Sequence, residues 1–200
     1  MLKILLIIAI LPIIVFWVST PVCADEILES MNEAIEAYKE KEYAEAAESL
    51  DYARQLIQQL RSEVIMSFLP EALPGWESKA AQTQNMGMMG GMAGVQKEYW
   101  KAAEGDQRRK RITINIMADS PIMQGMMAMF NPMYAGAQGG KVQKIKRNKA
   151  IVKYDPDSRN GEANVLVDKR YIVSVKGDAV DKNDVLDYAK AVDYKGLKDF

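Results

Sequence analysis

Histidine is absent and cysteine occurs once, at Cys23, in a chain of 200 residues. The missing imidazole excludes His-ligated zinc and non-haem iron, His-bound haem, Ser-His-Asp triads and Cys-His dyads. No G-x-S-x-G, P-loop or G-x-G-x-x-G stretch is written in the chain either, so the common nucleophile and phosphate cradles are missing. Carboxylate pairs occur in any chain with 27 acidic residues, and none is set apart by its spacing. Asp155, Asp157, Asn160 and Glu162 lack the EF-hand spacing and its central glycine, and read as a hairpin turn around Pro156 rather than a calcium loop. The expectation is a protein without catalysis and without a cofactor. At 48% apolar residues the chain is foldable rather than disordered, and its length suits one ordinary domain with a small appendage.

Charge is also missing from the start. Met1-Leu2-Lys3 is followed by the 15 uncharged residues from Ile4 to Val18 and then by Ser19-Thr20-Pro21-Val22-Cys23-Ala24, the shape of a bacterial secretory signal peptide. Val22 and Ala24 suit the small-residue pockets of signal peptidase. Cleavage is expected between Ala24 and Asp25, leaving a periplasmic or secreted chain free of cysteine, at home in an oxidising compartment. A retained anchor is the lesser alternative, because the apolar run is shorter than the roughly 20 residues a spanning helix needs. Lipidation at Cys23 is disfavoured by Val22 before it and by Thr20 two residues further upstream.

What charge there is divides unevenly. Asp25 to Phe68 carries 11 acids and 4 bases, a net of −7, while Leu69 to Phe200 carries 16 acids and 21 bases, a net of +5. In the acidic part, Ile27, Leu28, Met31, Ala34, Ile35 and Tyr38 keep the spacing of one helix face, as do Tyr43, Ala46, Ala47, Leu50, Ala53, Ile57, Leu60 and Val64. The short link Lys39-Glu40-Lys41-Glu42 folds the two into an antiparallel helical hairpin over residues 25–68. The stretch from Ala34 to Ala46 resembles a tetratricopeptide hairpin, with Lys41 where that family has its turn glycine. The resemblance implies inter-helix contacts at Tyr43, Ala46, Leu50 and Ala53. One unit cannot build a solenoid, which needs about three repeats, so the hairpin packs on a neighbour, on a second copy of the chain, or on a bound peptide.

Phe68-Leu69-Pro70-Glu71-Ala72-Leu73-Pro74-Gly75-Trp76 ends the helical region. Beyond it the apolar period becomes two, as in Ile112, Ile114 and Ile116 or Tyr171, Val173 and Val175. Strands are expected near 77–84, 95–101, 110–118, 141–146, 150–154, 162–167 and 170–176, joined by turns into a mainly antiparallel sheet. Ser120-Pro121 opens an inserted helix to about Met129, and Asp181 caps a closing helix from Lys182 to Val192. The fold class is α+β: an N-terminal helical hairpin, then residues 69–200 as a sheet domain with a Met/Gly-rich loop at 85–94, an inserted helix and a C-terminal helix. The Pro-Gly-Trp entry, the strand meander and the ending Val192-Asp193-Tyr194 resemble the PsbP-like α/β sandwich. The Phe-Leu-Pro entry, the Met-Gly loop and the turn Ala118-Asp119-Ser120-Pro121 resemble an exported proteobacterial family. Both imply an accessory or adaptor domain and bring no catalytic residues with them.

Ten of the 13 methionines lie between Met86 and Met133. Met86, Met88, Met89 and Met92 in the loop, with Met123, Met126, Met127 and Phe130 on the inserted helix, form a candidate apolar surface for an envelope protein or for self-association, with weak membrane contact as a further use. The alternative is Cu(I) or Ag(I) held by Met86, Met88, Met89 and Met92, since thioethers are soft ligands that need no deprotonation. Two basic groups, Arg108-Arg109-Lys110-Arg111 and Lys144, Lys146 and Arg147 with their neighbours, form a candidate patch for an anionic partner or a solvated strand face. Nucleic acid is not an expected partner of an exported chain without a nucleic-acid motif. Trp76 and Trp100 are expected to anchor the sheet core.

Overall fold

The computed structural model describes residues 22–86, 92–102, 108–118, 130–137 and 139–200. The chain divides into two compact units between Leu56 and Ile57, so the last turns of the second helix group with the sheet.

The first unit is the helical hairpin, with α1 (Val22–Lys39) and α2 (Tyr43–Met66). Lys41 adopts φ 65°, the left-handed position a glycine would fill most easily. The Glu42 N–H donates to Ala37 O at 2.9 Å and the Lys41 N–H to Tyr38 O at 3.2 Å, the paired bonds of a Schellman stop. The helices meet through small residues: Ser30, Ala34, Ala37, Ala46 and Ala53 are buried, and the Ser30 hydroxyl donates to Ser49 O at 2.7 Å. Ala46 and Ala53 stand where the tetratricopeptide resemblance puts them. Tyr43 and Leu50 do not; they are exposed, as are Leu28, Met31, Ile35 and Tyr38. Small side chains allow close helix approach, so the seam runs along the alanines and the large residues are turned away from it.

The second unit is built on one eight-stranded sheet: β1 (Glu77–Ser78), β2 (Gln82–Met86), β3 (Met92–Lys101), β4 (Lys110–Ala118), β5 (Lys141–Ile145), β6 (Asn148–Asp155), β7 (Asn160–Val167) and β8 (Tyr171–Asp178). Its order is β1-β3-β4-β8-β7-β6-β5, with β2 also paired to β3, and every pairing is antiparallel. The β2–β3 connection is narrower than the expected 85–94 loop, because pairing continues to Met86 opposite Met92. The expected helix from Pro121 to Met129 lies outside the described residues. The helix described in that insertion is α3 (Pro132–Ala137). The closing helix is α4 (Lys182–Ala191), and a further short helix, α5 (Tyr194–Asp199), follows it, capped by Asp193.

The alternating pattern puts Val95, Tyr99, Ile112, Ile114, Ile116, Val173, Val175, Ala163 and Val165 on one face, where Tyr188, Val185 and Leu197 of the C-terminal helices join them in the core. Trp76 packs there, edge-on to Tyr188 at 5.2 Å. Trp100 does not; one residue on from Tyr99, it sits on the outer face and its Nε1 donates to Glu77 at 2.8 Å. On that outer face Phe130 and Ala135 cover Ile151, Val142 and Leu166. Elsewhere it carries Gln96, Asn115, Asn164 and Glu162, as an antiparallel sheet with one solvated face does. Among the described residues no helix is long and apolar enough to cross a membrane.

Candidate functional site

The antiparallel topology sends the two basic groups to opposite ends of the sheet. At one end, where β4 begins and β8 finishes, three cations are paired within the fold. Lys110 Nζ lies 2.7 Å from Asp181 and 3.0 Å from Asp184, Arg159 lies 2.9 Å from Asp181 and Arg111 lies 2.9 Å from Asp178. Asp184 also accepts the Asp181 N–H at 2.9 Å, closing the first turn of α4. Partial burial on its own would lower the Lys110 pKa, but the two carboxylates outweigh it and hold the ammonium above its ordinary value. Lys110, and then Arg159, hold Asp181 below the usual carboxylate range. Arg109 stacks over Trp100 at 4.9 Å. Of the expected patch at Arg108-Arg109-Lys110-Arg111, Arg108, Arg109 and Arg111 are exposed, Lys110 ties β4 to the opening of α4, and Arg111 pairs with Asp178 across β4 and β8.

A shallow groove of about 580 Å³ on the outer face at the same end is lined by Lys153, Asp155, Asn160, Glu162, Lys176 and Asp178. Asp155 accepts the Ser158 hydroxyl at 2.6 Å and the Asp157 N–H at 3.0 Å, first the one and then the other lowering its pKa. Those bonds make the turn, in agreement with the hairpin reading of these acids. No group of three or more His, Cys, Asp or Glu side chains placed to hold a metal ion occurs among the described residues.

The other end is different. It gathers Met86 and Met92, which are backbone partners at the end of the β2–β3 pair, the end of β4 at Ala118, the turn Lys146-Arg147 and the turn Asp168-Lys169-Arg170. With roughly 4.8 Å between strands, β3 and β6 are about 20 Å apart here. Lys144, Lys146, Arg147 and Lys149 are exposed, and within the described residues no side chain of these four makes an ion pair or hydrogen bond.

Two local preferences oppose this placement. Ile145 and Asn148 pair directly, so Lys146 and Arg147 alone form the turn, with φ 42° and 70°. Such a turn favours Asn-Gly, and a left-handed L-residue costs roughly 1–2 kcal/mol. Lys144 also stands opposite Lys149, and like charges in that relation destabilise a strand pair.

Phe130 is not surface: it is 3% exposed and packs with Ala135 and Ile151, which removes it from the expected partner-binding set. Met88, Met89, Met123, Met126 and Met127 lie outside the described residues. Met133 is 81% exposed.

Lys97 escaped the sequence reading. Its position between Val95 and Tyr99 on the inward face was the available signal. Lys97 Nζ donates to Pro70 O at 3.1 Å and reaches Glu71 at 3.4 Å, and the Tyr99 hydroxyl donates to the same Pro70 O at 2.7 Å. Nearby the Leu73 N–H donates to the Tyr188 hydroxyl at 3.3 Å. Burial pushes the Tyr188 phenol up to about 12 and that of Tyr99 higher still. These groups strap the Pro70 to Trp76 connection onto the sheet; with the connection on top of them, they are structural.

No family model matches this sequence, and neither a curated protein nor a solved structure matches it. The tetratricopeptide and PsbP-like resemblances rest on residue pattern alone.

Proposed function

We propose that the chain is an exported, periplasmic binding or adaptor protein without catalytic activity, which engages an envelope protein bearing an acidic surface. The contact region is the sheet end holding the β5–β6 turn and the methionines that close β2–β3. The observation that carries this reading is the exposed cluster of Lys144, Lys146, Arg147 and Lys149, unpaired among the described residues and kept where both turn geometry and cross-strand pairing disfavour it. Strained positions of this kind cluster at binding sites, and exposed cations steer and orient an acidic partner. The N-terminal segment with the signal-peptide pattern supports the address.

Site-specific photo-crosslinking in the expressing cell tests the proposal. A photoreactive residue replacing Lys146 is expected to give a discrete protein adduct that weakens with added salt, whereas the same residue replacing Lys182 at the opposite end gives none. Equal adducts from both positions, or none from Lys146, refute it. The register of Met86 opposite Met92 favours one second reading, Cu(I) or Ag(I) binding by thioethers. It predicts metal-competitor displacement that Met86→Leu with Met92→Leu abolishes; no displacement by the unaltered protein removes it.

A further inference from the structure

The hairpin carries an independent feature. Leu28, Met31, Ile35, Tyr38, Tyr43 and Leu50 are exposed, from 42% for Met31 to 66% for Tyr38. At 100° per residue, the α1 set lies about a third of a turn round from the buried line Ser30-Ala34-Ala37. The α2 set is displaced in the same sense from Ala46 and Ala53, and because α2 runs the other way both sets fall on one side of the hairpin. Tyr38 and Tyr43 meet there, ring centroids 5.8 Å apart. The acids flank this side: Glu33, Glu45, Glu48 and Asp51 line a groove of about 640 Å³ with Ser30 and Tyr52, and Asp25, Glu29, Glu33 and Glu36 line another that Leu28 borders.

We infer that this apolar side is the dimer interface for a second copy of the chain, paired through a two-fold axis parallel to the helices into a four-helix bundle. Two observations select that occupant. The exposed residues recur at intervals of seven, Leu28 to Ile35, Met31 to Tyr38 and Tyr43 to Leu50, an interval that calls for a helical partner with the same repeat. The exposed fractions correspond to roughly 750 Å² per chain, more than the few hundred Å² a soluble monomer usually leaves bare, and about 1,500 Å² across a pair is a standard-sized interface.

A two-fold axis along the helices places α1 over α2 of the second copy and leaves the Glu33, Glu45 and Glu48 groove out of the contact.

Sedimentation velocity across a concentration series, on the protein as recovered from the expressing cell, tests this. A dimer is expected. Leu28→Glu with Leu50→Glu makes it monomeric with unchanged helical circular dichroism, because both positions are already solvent-facing. A monomer at every concentration overturns the inference, as does a dimer that survives Leu28→Glu with Leu50→Glu. The outcome is separable from the sheet-end reading, since adducts at Lys146 report on the other unit.

Discussion

At the Lys110 end of the sheet, Lys110, Arg111 and Arg159 each stand within 3.0 Å of a carboxylate; at the Lys146 end, Lys144, Lys146, Arg147 and Lys149 are exposed with no such partner among the described residues. The same residue types therefore do different work some eight residues apart along the strands. Where cations meet Asp181 and Asp184 they fasten the start of α4 to β4 and to the β6–β7 turn, and Arg111 with Asp178 joins β4 to β8. Where they stand in a left-handed turn and opposite one another, they weaken the fold locally and leave exposed charge without a carboxylate among the described residues. Sequence position alone does not separate these cases; the acids that decide it lie about 70 residues away from Lys110.

The largest expected effect attacks the fastened end. A Cβ at Gly177 would come within 2.4 Å of Val180 Cγ2 and 2.8 Å of Val185 Cγ2, so Gly177→Ala should lower stability by about 2 kcal/mol, read as a reduced urea midpoint with an unchanged slope. Next, Lys110→Met leaves Asp181 and Asp184 without their shared cation and should lower stability by about 1 kcal/mol, a figure already discounted for solvent screening at Asp181.

The pH dependence has a definite sign. Asp181 has a depressed folded pKa, so its contribution is complete above the ordinary aspartate range and disappears as pH falls through the folded value. Lys110 has a raised one, so its contribution is complete below the ordinary lysine range and disappears as pH rises through the folded value. Thermal midpoints of Lys110→Met should accordingly fall less steeply on acidification than those of the unaltered chain.

Lys41→Gly sharpens the comparison from outside the sheet. It relieves a left-handed residue and should raise stability by about 0.5–1 kcal/mol, while the yield of Lys146-position adducts stays constant. The smallest effect belongs to Lys149→Thr, which removes the like charge opposite Lys144 and should stabilise by about 0.3 kcal/mol while reducing adduct yield.

Strand and helix positions were legible because alternation and helical spacing record burial directly. The strand expected at 110–118 is β4 from Lys110 to Ala118, and the antiparallel α+β class holds. Which side of a helix is buried was less legible. Leu28, Ile35 and Leu50 look like core on hydrophobicity, yet alanine and serine take the α1–α2 seam because their size sets the approach distance. Phe130 and Trp100 were misassigned for related reasons: a register shift of one residue changes the face of Trp100, and only the tertiary fold brings Ile151 beneath Phe130. The short helix from Tyr194 to Asp199 was missed because its six residues span too few turns for a period to register.

The unfolding free energy of Lys146→Asn with Arg147→Gly, measured by urea titration with photo-crosslinking from Lys144 in the same variant, tests the central claim most directly. The account predicts stability higher by about 1 kcal/mol, because Asn-Gly suits the two left-handed positions, together with loss of the adduct. Stability that is unchanged or lower, or an adduct that persists undiminished, would contradict a cation cluster held against the preferences of its own turn for the sake of a partner.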